Sequence, residues 1–200
     1  MELLAKDELI RSSIIDAAKK LFQQYGLAKT TMEDIARAIG KGKSSLYYYF
    51  ATKEDIFEAV VLQEKKYITR EVELAIQNVS TAEEKLRAFA LTVYKELKNK
   101  RVIIMNILHA DNSAGMCMMN MFKKKYDEIE LKLIKSIIEF GIETGEFDRK
   151  YENQLDAISL LSISTLRGLQ LNSVLYTTEK RNTLGLIDLS IDLLVKSLKK

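Results

Sequence analysis

The chain has 200 residues, of which 47% are hydrophobic and 30% charged, and its formal net charge is +3. These proportions exclude an intrinsically disordered chain, and no apolar run approaches the roughly 20 residues that span a membrane. A single cysteine excludes an internal disulfide, so we expect a cytoplasmic protein. Proline is absent and glycine occurs only 8 times, which favours an all-α fold of long helices.

The first predicted helix runs from about Asp7 to Tyr25, and Gly26 ends it. Apolar residues recur along it at helical spacing and should form its buried face: Ile10, Ile14, Ala17, Ala18, Leu21 and Phe22. We expect this helix to act as a scaffold for the two short helices that follow.

Two short helices joined by a tight turn are predicted next. The first begins at Thr31, a typical N-cap, and Asp34 three residues later completes a capping box. Gly40 and Gly42 are expected to end it in a left-handed C-cap. The second helix spans Lys43 to Phe50 and is rich in small polar, basic and aromatic residues. This is the helix-turn-helix pattern that reads a major groove.

The same stretch resembles the DNA-binding domain of the TetR/AcrR family of bacterial transcription regulators. The positions that match that family's signature without a gap are Thr31, Ile35, Ala36, Gly40, Leu46, Tyr47, Tyr49, Phe50 and Lys53. The helix before it also matches, at Arg11, Ile14, Ala17, Ala18, Leu21, Phe22 and Gly26. The chain departs from the family pattern at Ile39, Gly42 and Ser44. The resemblance implies an N-terminal three-helix DNA-binding domain and a larger, divergent C-terminal helical bundle for ligand binding and dimerisation, with about nine helices in all.

Eight residues are predicted to contact double-stranded operator DNA: Thr31, Lys41, Lys43, Ser44, Ser45, Tyr47, Tyr48 and Lys53. Lys43, Ser44 and Ser45 start the second helix, where they can reach base edges. The tyrosines can donate to phosphates or pack on sugars, and the resemblance implies backbone contacts by Tyr47 and Lys53, assisted by Thr31 and Lys41. Between residues 19 and 53, seven basic residues stand against two acidic ones, which also favours phosphates, although a solvated basic face is the alternative.

A long helix is predicted over residues 53–77, opened by Thr52 and Asp55 as a second capping pair. We divide the chain into a DNA-binding domain, residues 1–52, and a ligand-binding and dimerisation domain, residues 53–200. The helix links the two and is the natural lever between them.

The second domain should contain five further helices. A capping box at Thr81 and Glu84 opens the first of them, and a short buried helix is expected at Val102–Leu108. The remaining three are predicted over residues 115–144, which Gly145 ends, and then over residues 152–175 and 179–198. The last two helices carry more apolar positions than one core-facing stripe requires. A two-fold contact between two copies would bury the surplus, with simple core packing as the alternative. The residues assigned to this contact are Leu161, Leu166, Leu169, Ile187, Ile191 and Leu194.

A methionine-rich stretch around Met116–Met121 suits either a pocket for varied apolar ligands or ordinary core filling. If it forms a pocket, the lining candidates are Tyr67, Phe89, Tyr94, Met105, His109, Met121 and Phe140. His109 and Cys117 lack further partners for a zinc site, and Cys117 is interpreted as incidental. The sequence contains no motif of a catalytic or phosphate-binding site, so we expect no enzyme activity, metal or cofactor.

Together these patterns predict a homodimeric DNA-binding regulator, a repressor released from its operator by a small apolar or amphipathic effector. Two alternatives stay open. The C-terminal domain could only dimerise or bind a protein partner, or the chain could be a helical enzyme that carries a helix-turn-helix. A dry, fully packed core would favour the first of these.

Overall fold

The computed structural model describes the backbone of residues 2–99, 114–175 and 182–199, and the side chains of residues 6–99, 128–170 and 182–199. Within these ranges every regular element is a helix, which confirms the all-α prediction. A 3₁₀ helix at Arg149–Gln154 accompanies the α-helices, whose bounds are α1 Glu2–Tyr25, α2 Met32–Ala38, α3 Lys43–Tyr49, α4 Lys53–Gln77, α5 Ala82–Asn99, α6 Ala114–Glu143, α7 Leu155–Leu175 and α8 Thr183–Leu198.

Most predicted boundaries agree with the structure to within a few residues. The bounds of α4 are those predicted, and α1 begins five residues earlier than expected, at Glu2. The residues before Leu155 form a 3₁₀ turn, so α7 starts later than the predicted Glu152. The predicted helix at Val102–Leu108 lies outside the described residues, as do residues 179–181 before α8.

The chain divides into two compact units, which we call N-terminal and C-terminal, and the divisions fall inside α4, after Lys66, and inside α6, after Asn120, so that the first residues of α6 group with the N-terminal unit. In the N-terminal unit, α1, α2 and α3 pack with the first half of α4 around a core that contains Ile14, Phe22, Ile35, Leu46 and Phe57. Phe22 and Phe57 meet edge to face, with ring centroids 5.3 Å apart. The α1–α4 contact is reinforced by an ion pair between Lys19 and the buried Glu64.

In the C-terminal unit, apolar residues of α5, α6, α7 and α8 form a larger core. Polar contacts fix the helix ends around it. The Glu146 carboxylate accepts hydrogen bonds from the backbone amides of Ala82 and Glu83, at 2.6 and 2.9 Å, and so caps α5 from a distant loop. Arg87 of α5 donates to Asp188 at 2.8 Å and to Asp192 at 2.6 Å, which links α5 to α8.

Across the described parts of the chain, no helix combines the length and the apolar character that crossing a membrane requires.

Candidate nucleic-acid interface

The inner side of α3 is held by a few specific contacts. Leu46 is fully buried, and Phe50 directly after the helix is 5% exposed. The Arg11 guanidinium lies 4.6 Å from the centroid of the Phe50 ring. The Tyr49 hydroxyl donates to Asp7 Oδ1 at 2.9 Å, and partial burial together with this bond raises the pKa of the Tyr49 phenol. Tyr49 therefore stays a donor at neutral pH and ties α3 to α1.

The outer side of α3 carries the side chains predicted to contact DNA. Lys43, Ser44 and Ser45 are all exposed at its start. Tyr47 is 48% exposed and Tyr48 is 76% exposed, values that are high for aromatic residues. Because all five occupy one short helix, they form a continuous surface of donors and flat rings. We call these five residues the α3 surface.

The start of α3 is electropositive. Gly40 makes the preceding turn with φ +64°, as predicted, whereas Gly42 has φ −74° and is the extended N-cap of α3, not a left-handed residue. Gly42 offers no side chain to cap the first-turn amides, and that turn contains no acidic residue. The positive end of the helix dipole thus combines with Lys43 at the first helical position, an arrangement suited to an anion.

The other residues predicted to contact DNA differ in their exposure and in whether their hydrogen-bond donors are already used within the protein. Lys41 is exposed in the turn, and Lys53 is half-buried at the first position of α4. Both donors of Thr31 are already used. Its hydroxyl donates to Asp34 Oδ2 at 2.6 Å, and its backbone amide donates to the same oxygen at 3.0 Å. A phosphate needs a donor, so a phosphate contact by Thr31 would require its hydroxyl to leave the capping box.

Two basic residues of the positively charged stretch are engaged within the protein. Lys19 pairs with Glu64, and Arg37 Nη2 lies 3.0 Å from Asp34 Oδ1. Hydrogen bonds from Thr31, followed by the charge of Arg37, lower the pKa of the Asp34 carboxyl. The charge available to phosphates is therefore smaller than the sequence count indicated, and Lys41 and Lys43 at the turn remain exposed.

The six residues predicted for a contact between copies separate into two groups. Leu161 is 68% exposed, and Leu169 and Leu194 are half-buried. Leu166, Ile187 and Ile191 are 6%, 0% and 3% exposed in the core of their own unit, so the prediction is corrected for these three. Sequence reasoning missed the leucines on the opposite side of the same helices, namely Leu160, Leu186, Leu189 and Leu193, which are 42% to 61% exposed. Together with Leu161 they are called the leucine face.

Of the seven residues predicted to line a ligand pocket, the structure describes the side chains of four. Phe89 lines a cavity in the C-terminal unit, whereas Tyr67 is 46% exposed. Tyr94 and Phe140 are half-buried against the core. Met105, His109 and the Met121 side chain lie outside the described residues. The cavity is formed instead by α5, α6, α7, α8 and the 3₁₀ turn, and no sequence period marks it. No cluster of three or more metal-binding side chains occurs among residues 6–99, 128–170 and 182–199.

Comparison with known proteins also indicates a helix-turn-helix regulator. Residues 14–60 match the family model described as bacterial regulatory proteins, tetR family. Over 150 residues the chain is 26% identical to YhgD of Bacillus subtilis, an HTH-type transcriptional regulator, covering 75% of this chain and 78% of the relative. Over 52 residues it is 42% identical to IcaR of Staphylococcus aureus, the negative transcriptional regulator of the icaADBC biofilm operon, covering 26% of this chain and 28% of that protein.

The fold extends this similarity to nearly the whole chain. The structure of the transcriptional regulator FadR of Bacillus subtilis, solved in complex with stearoyl-CoA, superposes with a TM-score of 0.69 at 23% identity. The match covers 94% of this chain and 98% of FadR. The signature in α1 to α4, the exposed α3 surface and these similarities agree. Residues 14–60 are therefore similar to the DNA-binding module of the tetR family of bacterial regulatory proteins, and the fold of the chain is similar to that of solved transcriptional regulators.

Proposed function

We propose that the chain is a homodimeric repressor that binds operator DNA through α3 and is released by a small apolar or amphipathic effector. The observation that carries this proposal is the α3 surface: α3 is anchored by Leu46, Tyr49 and Phe50, and its other side chains are exposed around an uncapped, basic N-terminus. A fold that uses a helix only for packing has no need to expose two tyrosines and a lysine in this way.

Within this proposal the exposed groups have different tasks. Lys43 and the hydroxyls of Ser44 and Ser45 reach base edges from the first turn of α3, where lysine can donate to guanine and serine can bond either base type. Tyr47 and Lys53 donate to phosphates and supply affinity that is independent of sequence. Choice of sequence therefore rests on the start of α3.

The leucine face supports pairing of two copies. Leu161 of α7 and Leu189 and Leu193 of α8 are exposed beyond half of their surface, and burying such side chains against a second copy stabilises a dimer. A two-fold dimer presents two α3 helices, and half-sites about 34–36 Å apart suit adjacent major grooves on one side of the duplex.

We assign effector binding to the C-terminal unit, which contains the cavity lined by Phe89. Helix α4 contributes residues 53–66 to one unit and 67–77 to the other, and this covalent connection is the proposed lever. An effector that favours the conformer with misplaced α3 helices by about 1.4 kcal/mol lowers operator affinity tenfold. Repression is proposed by analogy with the negative regulator IcaR, whose alignment with this chain covers only a quarter of its length.

The proposal is tested by fluorescence anisotropy on the DNA upstream of the chain's own gene. We expect salt-dependent binding that Lys43→Ala weakens about tenfold, because one charged base or phosphate contact contributes roughly 1–3 kcal/mol. Lys66→Ala removes the same charge from an exposed position on α4 and serves as the matched control. Equal affinities for the two variants would contradict the assignment of α3.

A further inference from the structure

The cavity in the C-terminal unit is small and mainly apolar. Its volume is about 220 Å³, and its lining includes Phe89, Ile134 and Leu198, each 1% exposed. Leu161 also lines it but is 68% exposed, so this residue lies at the opening. Ligand pockets usually measure about 300–1,000 Å³, and an apolar cavity of about 150 Å³ accommodates benzene. The volume therefore suits a molecule of benzene size or somewhat larger.

The hydroxyl groups of the lining already donate their protons to hydrogen bonds within the protein. It contains five hydroxyls, and each donates to a backbone carbonyl at 2.7–2.9 Å: Ser162 to Ile158, Thr165 to Leu161, Ser190 to Ile187, Ser197 to Leu194, and Tyr151 to Ser197. A hydroxyl has a single proton but two lone pairs. These groups can therefore accept a hydrogen bond from a ligand but cannot donate one.

The lining also provides no positive charge. None of the described residues around the cavity is a lysine, arginine or histidine. Two basic side chains on the surrounding helices are already paired, since Lys135 bonds Asp156 at 2.7 Å and Arg87 bonds Asp188 and Asp192. A carboxylate or phosphate entering the cavity would lose its hydration without gaining a donor, which is strongly unfavourable.

We propose that this cavity is a binding site for a small neutral apolar molecule with one hydrogen-bond donor, such as a short-chain alcohol or a phenol, and that it rejects the matching acids. Its opening lies at Leu161, within the leucine face. Ligand binding in the cavity therefore changes the pairing of two copies. This effect on pairing rests on the proposed function.

The test compares 1-hexanol with hexanoate at pH 7 by isothermal titration calorimetry. The two probes have the same chain length and differ in charge and in the donor. We expect the dissociation constant for 1-hexanol to be at least tenfold lower than that for hexanoate, because only the alcohol can donate to the lining. Equal affinities would overturn the proposal.

Two variants locate the binding site. Ser190→Leu fills the cavity and should weaken 1-hexanol binding at least tenfold. Ser136→Leu is the matched control, because the Ser136 hydroxyl is exposed on α6 and also donates to a carbonyl three residues earlier, at 2.8 Å. If circular dichroism shows that Ser190→Leu does not fold, Ser162→Val replaces it, since it also adds carbon to the lining and removes a hydroxyl. Wild-type affinity in a folded lining variant would overturn the proposal.

Sedimentation equilibrium then measures pairing with and without 1-hexanol. A change of at least threefold in the dimer dissociation constant is expected, and no change would overturn the coupling. Because binding and pairing are reciprocally coupled, the 1-hexanol affinity should also change as protein concentration rises, and an affinity that does not depend on protein concentration would contradict the coupling. Anisotropy on the same samples without alcohol separates the two hypotheses. If these samples do not bind DNA, the proposed function is contradicted, whereas the proposed alcohol site is not.

Discussion

Helices α2 and α3 have the same length of 7 residues and follow each other in the chain, but they are built differently. The first helix begins with the Thr31 capping box and two acidic residues, and it buries Met32, Ile35 and Ala36. The second begins at Gly42 without a side-chain cap, has no acid in its first turn and buries only Leu46. Helix α2 therefore uses its side chains for folding, whereas α3 leaves most of its side chains exposed for contact.

The largest expected effect follows from the single buried residue of α3. Leu46→Ala should lower the free energy of unfolding by about 3 kcal/mol, because it leaves a cavity at a fully buried site. Urea denaturation followed by circular dichroism measures this. Ser44→Ala, two residues away and exposed, is the control and should change stability by less than about 0.5 kcal/mol. A similar loss in both variants would mean that α3 is not attached through Leu46.

Exposed residues of α3 and α4 should affect DNA binding in two distinguishable ways. Lys53→Ala is expected to weaken binding to all sequences alike and to reduce the slope of log affinity against log salt by about 1. Ser45→Ala should instead change which sequences are preferred, by roughly 1–3 kcal/mol at one base pair. Selection from a random DNA library followed by salt titration measures both. Lys53→Ala with undiminished non-specific binding would show that its phosphate contact is absent.

Two substitutions exchange the N-terminal capping of α2 and α3. Thr31→Ala should cost about 1 kcal/mol of stability, since the capping box is lost. Gly42→Ser should stabilise the protein by a few tenths of a kcal/mol, because serine caps the start of α3 and the φ of −74° suits any residue. The added cap competes with DNA for the same amides, so binding should weaken. Thermal unfolding and anisotropy on both variants test this, and a stronger binder with Gly42→Ser would contradict the role of that helix end.

The smallest effect concerns pH. Thr31 hydrogen bonds lower the pKa of Asp34 in the folded protein, so its contribution to stability is present above the usual carboxyl pKa of about 3.9 and is lost as pH falls through the lower folded value. Asp34→Asn should therefore be less stable than the wild type at pH 7 and approach it in acid. Urea midpoints at pH 7 and pH 2.5 measure this. A difference that persists unchanged in acid would assign the loss to the amide geometry.

Features decided by neighbouring residues could be predicted from the sequence. The capping boxes of α2 and α5, the bounds of α4 and the Gly40 turn all depend on contacts within a few positions, and the structure contains each of them. The exposed start of α3 was predicted for the same reason, since its pattern is local.

Features decided by distant residues could not be predicted in the same way. On α8, Ile187 and Ile191 are buried while Leu189 and Leu193 are exposed, although all four are apolar and only packing against α5 and α7 separates them. The pairing of Lys19 with Glu64 joins residues far apart in the chain and has no sequence signature. The cavity is formed by parts of several helices, so no single segment indicates it.

Photo-crosslinking from α3 tests whether two copies of this helix contact the bases of operator DNA. A single cysteine is introduced by Ser45→Cys in a Cys117→Ser background and labelled with an azide, and Gln24→Cys at an exposed position of α1 is the control. The account predicts crosslinks from position 45 to bases at two places about one DNA turn apart, and none from position 24. Full operator binding without any crosslink from position 45 would contradict it.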